Sequence, residues 1–290
     1  ILFLTHFSYG QTKELWGLFN SGGEHGIGGI YSLDSNANFN SIEYSFKPKT
    51  GRNPLGYLLI ANNGKYYGTA SNGGLQNNGT IFEFDPATNQ HKILFHFDNV
   101  ISGDSPEGPL IQASNGLLYG TTKFGGIYNK GTIFSYDINT QVFQKIHDFN
   151  DFNGAQPRGG LTQANSGKLY GLTEFGGPGN GNEGVLFEYD ISTNTYAIKV
   201  NFFLVSGAHP QGNLLNAADS NLYGTTYEGG AHRDGVLFKY EPDSSVYTVV
   251  SDFQSYTNGG HPDGNLIQAS DGNIYGVCHL KNTQASSIDL

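Results

Sequence analysis

A short aromatic-glycine motif returns six times along the chain: Leu15-Trp16-Gly17, Tyr66-Tyr67-Gly68, Leu118-Tyr119-Gly120, Leu169-Tyr170-Gly171, Leu222-Tyr223-Gly224 and Ile274-Tyr275-Gly276. Successive aromatics lie 51, 52, 51, 53 and 52 positions apart. A second motif keeps the same beat, as Pro54-Leu55-Gly56, Pro106-Glu107-Gly108, Pro157-Arg158-Gly159, Pro210-Gln211-Gly212 and Pro262-Asp263-Gly264. A period of this length marks a repeat architecture, in which each unit is one supersecondary structure that buries its apolar face against its neighbours.

Within a unit the pattern reads as four short β-segments. In the third, Leu110 to Ala113 is followed by the turn Ser114-Asn115-Gly116 and then by Leu118 to Thr122. Asn-Gly between apolar runs is the strongest short hairpin signal. A loop through Gly125-Gly126 leads into Thr132 to Tyr136, and Asp137 to Thr140 turns the chain into Val142 to Phe149. The third segment recurs as Gly79 to Asp85, Gly131 to Asp137, Gly184 to Asp190 and Gly235 to Glu241, apolar on both faces at several positions. A sheet covered on both sides accounts for that.

No stretch carries sustained helical periodicity with caps. Four-stranded antiparallel units at this period predict an all-β fold, a β-propeller of about six blades. An open β-solenoid is the structural rival, but its coils are usually much shorter. The expected organisation is a single domain over 1–290, with repeats at approximately 1–50, 51–102, 103–153, 154–206, 207–258 and 259–290. Five or seven blades stay open, because the sixth unit stops before a fourth strand. Ile1 to Phe7 is apolar enough to complete that unit by pairing the termini, yet Phe7 also aligns with Leu110, the first segment of a unit.

Composition narrows the function. The chain has 290 residues, 14% of them charged, and a net charge of -10, which excludes a polyanionic partner such as nucleic acid. No apolar run approaches the roughly 20 residues of a membrane helix, so no membrane insertion is expected. With no Met, and Ile at position 1, the chain reads as a processed product or a fragment, and a removed export signal explains this simply. Cys278 is the single cysteine and forms no internal bridge.

Repeated residues read as structural: turn glycines, in-strand glycines near a crowded axis, and aromatic packing layers between blades. Paired glycines such as Gly125-Gly126 open no helix and so make no phosphate cradle. Function is expected where the repeat is broken. The second-to-third loops carry Lys123-Phe124, Glu174-Phe175 and Tyr227-Glu228, an aromatic in each and a carboxylate in two. Aromatic faces beside polar groups suit sugar rings. His209 and His261 stand just before the repeated proline in adjacent units, on the same inferred face as those loops. The ligand-binding candidates are therefore Phe124, Phe175, Tyr227, Glu174, Glu228, His209 and His261. No compact His or Cys spacing supports a metal site, and no cofactor is expected. No catalytic motif is present; Glu174 and Glu228 would serve as acid and base on a glycoside only if their loops adjoin.

The pattern Pro-x-Gly-x-Leu-Ile-Gln-Ala-Ser-x-Gly-x-Leu-Tyr-Gly-Thr-Thr, then Gly-Gly, then Gly-Thr-Ile-Phe-x-Tyr-Asp, resembles the GloVer-type tandem repeat of bacterial choice-of-anchor proteins. The resemblance spans nearly the whole chain and is best in units two to five, as at Pro106 to Asp137. It implies an exported, extracellular or cell-surface protein, and it carries no established catalytic residues. The expected function is a non-enzymatic recognition or adhesion module that binds glycan or a surface protein through variable loops. The alternatives are an enzyme acting on polysaccharide and a structural or accessory subunit of a larger surface assembly.

Overall fold

Each repeat folds into a meander because its turn residues recur where the strands must reverse. In the second repeat, for example, Gly64 N–H donates to Ala61 O at 2.9 Å and Ala61 N–H to Lys65 O at 3.0 Å. In the computed structural model, four antiparallel four-stranded sheets result. Their strands are Leu59–Ile60, Tyr66–Ala70, Thr80–Asp85 and Gln90–His96; Ile111–Gln112, Leu118–Thr122, Thr132–Asp137 and Val142–Asp148; Thr162–Gln163, Leu169–Thr173, Val185–Asp190 and Thr195–Asn201; and Leu215–Asn216, Leu222–Thr226, Val236–Glu241 and Val246–Asp252. The first repeat contributes Leu15–Phe19, Gly29–Leu33 and Phe39–Ser45, and the sixth Ile267–Gln268 and Ile274–Tyr275.

The structure describes residues 15–34, 36–179 and 181–279, and no helix occurs among them. The expected terminal strand at Ile1 to Phe7 and the end of the sixth repeat lie outside the described residues. The chain divides into two units, an N-terminal half at 1–145 and a C-terminal half at 146–290. The first strand of each repeat is shorter than the apolar run suggests. In the third repeat only Ile111 and Gln112 pair, because Ala113 and Leu117 already close the turn through a 3.0 Å bond.

Second and third strands are buried on both faces, whereas fourth strands alternate. The cores form between successive repeats. In the N-terminal half, Tyr67, Ile81 and Phe97 of the second repeat pack with Leu118, Phe134 and Tyr136 of the third. In the C-terminal half, Tyr170, Leu186 and Phe202 of the fourth pack with Leu222, Phe238 and Tyr240 of the fifth. Cohesion is therefore a nearest-neighbour property of the repeats.

The aromatic-glycine motif has a direct cause. Its glycine lies straight across from the aromatic of the third strand, as in the pairs Gly68 with Phe82, Gly120 with Phe134, Gly171 with Phe187 and Gly224 with Phe238. The ring folds over the bare glycine: a Cβ on Gly68 would stand 2.5 Å from Phe82 Cζ, and one on Gly120 2.6 Å from Phe134 Cζ. The Pro-x-Gly glycines fill a second close approach. A Cβ on Gly159 would lie 2.5 Å from Gly212 O, and one on Gly212 2.6 Å from Gly264 O.

A β-bulge in the fourth strand sits at one place in repeats one, two, four and five. In the second repeat Ile81 faces Phe95 while Phe82 faces Ile93, so Leu94 is the extra residue. The bulge reverses the alternation, and His91 and Phe95 end on opposite faces of the sheet. Each then stacks on a neighbouring repeat. Tyr44 lies on His91 with ring centroids 3.9 Å apart and planes 4° apart, and Phe95 lies on Phe143 with the same values. In the C-terminal half His147 and Tyr196 repeat the contact at 3.9 Å and 7°. The Nε2 atoms of His91 and His147 are buried without a hydrogen-bond partner.

Candidate functional site

The loop from second to third strand and the crossing from the fourth strand to the next repeat meet at one end of each sheet. In the C-terminal half Gly177 N–H donates to Asp151 O at 2.6 Å and Gly230 N–H to Leu204 O at 2.8 Å. The residue before the repeated proline locks this end. Asn53, Ser105, Gln156, His209 and His261 all have positive φ, between 51° and 57°. That conformation is strained for a non-glycine residue. Two backbone bonds hold it. The N–H of His209 donates to Glu183 O at 2.8 Å and that of His261 to Asp234 O at 2.7 Å, while Tyr227 N–H donates back to His209 O at 3.2 Å.

The clamp aims two imidazoles at loop aromatics. The His209 ring packs against Phe175 with centroids 5.0 Å apart and planes tilted by 58°, and His261 against Tyr227 at 4.8 Å and 35°. Since a carbonyl only accepts, His209 Nδ1–H donates to Glu174 O at 3.1 Å and His261 Nδ1–H to Tyr227 O at 2.9 Å. This fixes the tautomer when the ring is neutral and leaves Nε2 as the acceptor. His261 Nε2 lies 3.5 Å from Asp234 Oδ1. Burial tends to raise the Asp234 carboxyl, but bonds from Ser255 and the charges of His261 and His232 outweigh it and hold the group below its usual range. Phe175, His209, Tyr227 and His261 are all half-buried, so the rings keep part of their surface in water.

Glu174 is only 7% exposed. Its Oε1 accepts from Gln211 Nε2 at 3.0 Å and from Arg158 at 3.5 Å, and Arg158 also donates to Gln211 Oε1 at 2.9 Å. The carboxylate is thus committed to its neighbours. Glu228 pairs through its backbone with Ala208, and no contact among the described residues brings it to Glu174. Phe124, in the N-terminal half, bridges Asp104 through its backbone and has the Lys123 ammonium 5.2 Å from its ring centroid. No group of three or more His, Cys, Asp or Glu side chains converges among the described residues. Burial, with the Asp263 charge, pushes the Cys278 thiol up to about 11, which suppresses the thiolate.

Arg158 and Gln211 were not among the residues expected at this site, and neither were Glu107, Asp263 or His279. They belong to a rule the sequence does contain. The middle residue of Pro-x-Gly and the first residue of the next glycine loop are always sixteen positions apart: Glu107 and Lys123, Arg158 and Glu174, Gln211 and Tyr227, Asp263 and His279. Two of the four are ion pairs, with the sign reversed from the third repeat to the fourth, and a third is a carboxylate–imidazole contact. Glu107 lies 3.4 Å from Lys123 and Asp263 2.7 Å from His279. Arg158→Ala is expected to cost about 1–3 kcal/mol in a urea titration, because the buried Glu174 carboxylate loses its counter-charge. Asp263→Asn, at an exposed pair, is expected to change stability by less than about 0.5 kcal/mol.

The model of the Gloeobacter/Verrucomicrobia repeat family matches residues 8–182 and 99–288. No curated protein matches the chain. Among solved structures, TolB from Acinetobacter baumannii superposes with a TM-score of 0.57 at 9% identity, over 92% of this chain and 58% of that one. A chain of the nidogen/laminin complex gives 0.59 at 15% identity, over 95% and 89%. The extracellular domain of the one component system BT4673 from B. thetaiotaomicron gives 0.59 at 13%, over 94% and 36%. The chain therefore spans just over half of the TolB chain and about a third of the BT4673 extracellular-domain chain. No helix among the described residues is long and apolar enough to cross a membrane. The neighbours are β-propeller proteins, and the four-stranded repeats, cohering through their neighbours, have that fold. The chain belongs to the Gloeobacter/Verrucomicrobia repeat family.

Proposed function

We propose that this chain is a non-enzymatic recognition module working outside the cell or on its surface, with its six repeats as the blades of one β-propeller domain. Its partner, a glycan or a surface protein, is held at the loop end of the sheets. The observation that carries this reading is the strip Phe175, His209, Tyr227 and His261, whose rings are half-exposed and fixed by backbone bonds. Rings held in place before binding lose little entropy when a ligand is met. Similarity to an extracellular domain and to a chain of the nidogen/laminin complex supports the same reading.

A glycosidase reading would need Glu174 free, and its carboxylate is already bound by Arg158 and Gln211. The test is a glycan array and a panel of immobilised surface proteins, each probed with the chain and with Phe124→Ala/Phe175→Ala/Tyr227→Ala. Selective binding that weakens at least about tenfold in the variant is expected. Equal binding by both proteins, or release of reducing ends from a bound polysaccharide, would refute it.

A further inference from the structure

Three successive crossing loops of the C-terminal half hold an apolar side chain out in water. Phe152 is 75% exposed, Val205 85% and Tyr256 83%. None hangs on a loose segment. Phe152 lies inside the Asp151–Gly154 bridge, where Asn150 and Asn153 exchange side-chain to backbone bonds of 2.9 and 3.0 Å. Val205 lies inside the Phe203–Gly207 bridge, closed by Ser206 N–H to Phe203 O at 2.8 Å, and the Tyr247 hydroxyl donates to Ser206 O at 2.5 Å. Tyr256 lies inside the Gln254–Gly259 bridge, closed by Thr257 N–H to Gln254 O at 2.9 Å.

The opposite end of the same sheets turns on polar residues, such as Asn165-Ser166-Gly167, Asp219-Ser220-Asn221 and Ser270-Asp271-Gly272. The three most exposed apolar side chains described in this half thus sit at the end that carries the ring strip. Rigid, exposed apolar groups are how protein interfaces place their anchors, because their ordering cost is met before association. Val205 offers nothing to the hydroxyls of a sugar and everything to an apolar pocket.

Charge completes the description. The loops at this end carry Asp151, Glu174, Glu183, Glu228, Asp234 and Asp263 against Arg158 and Arg233. The surface is acidic around apolar points. We propose that Phe152, Val205 and Tyr256 are the anchors of a docking surface for a protein partner whose complementary face is basic and apolar. This rests on the recognition reading above and names its partner class.

The test uses the full chain and three sets of immobilised synthetic peptides, built from Lys with Leu and Phe, Glu with Leu and Phe, and Lys with Ser. The first set is expected to bind at least about tenfold more tightly than either other set. Phe152→Ser/Val205→Ser/Tyr256→Ser is expected to weaken that binding about a hundredfold, with an unchanged melting temperature. Equal binding of the three sets overturns the proposal, as does unaltered binding by the triple variant. Concentration-dependent dimerisation lost in the triple variant would make the occupant a second copy and overturn it too. Should glycans bind the strip while the first peptide set does not, the partner class fails and the recognition reading stands. If neither glycans, surface proteins nor peptides bind, both fall.

Discussion

Between pH 7 and pH 5 the folded chain is expected to lose about 4 kcal/mol of stability to two histidines, and His91→Phe with His147→Phe to abolish that loss. Burial pushes both imidazoles down to about 4, with Asp148 and Asn153 opposing at His147 and no charged group opposing at His91. In the unfolded chain each titrates near its ordinary value of about 6.5. The native form therefore stays neutral through a window in which the unfolded form gains a proton. Stability is full above about pH 6.5 and is lost as the pH falls toward 4. Each ring contributes up to about 3 kcal/mol at the lower limit.

Phenylalanine is the right replacement because the molecule already uses it, in the Phe95–Phe143 stack. Carboxyls such as Asp98, Asp137 and Asp190 are held below their usual range and titrate beneath this window. Urea midpoints at pH 7 and pH 5, for wild type and double variant, decide the matter. A wild-type midpoint that moves no more than the variant's would sink the assignment.

Gly171→Ala is expected to cost about 3 kcal/mol or more. The new Cβ would overlap the Phe187 ring at Cζ and lie 2.9 Å from Leu161 Cδ2, and Phe187 is fully buried, so the ring has nowhere to swing. Gly167→Ala is the control. It has φ of 85° with nothing within 4 Å, so only the backbone conformation is penalised, at about 1–2 kcal/mol. Adding Phe187→Leu to Gly171→Ala removes the overlapping ring atoms, and the two changes together are expected to cost less than their sum. Strict additivity in denaturant titrations would show that the motif glycine is not there for the ring.

The fold was legible because the period and the turn residues act locally: Ser114-Asn115-Gly116 and Gly125-Gly126 mark reversals that the backbone makes. The aromatic-glycine motif announced itself, although its cause, a ring folded over the bare position, needed the register between two strands. His91 and Phe95 were not legible. Four apart on a plain strand they would share a face, and only the bulge at Leu94 sends them to different neighbours. At the candidate site, Phe175 with His209 and Tyr227 with His261 were foreseen as belonging to one end, and the structure joins them ring to ring. Glu174 read as a ligand-binding candidate because its partners are distant in sequence: the separation of sixteen links it to Arg158, and nothing in the sequence links it to Gln211, 37 positions on. The apexes left no signal: Phe152 and Tyr256 stand alone in polar loops with no periodicity to betray them, and Val205 ends the apolar run Phe202 to Val205, in which nothing sets it apart.

The turns beneath those apexes close through backbone bonds and through Asn, Ser and Tyr groups beside them, never through the apex side chain. A substitution there leaves the turn intact. Sheet integrity and surface character are therefore written in separate positions, which lets the surface change by single replacements without passing through an unstable intermediate. Each crossing loop drifts independently, so a lineage can alter one apex while the others stay as they are.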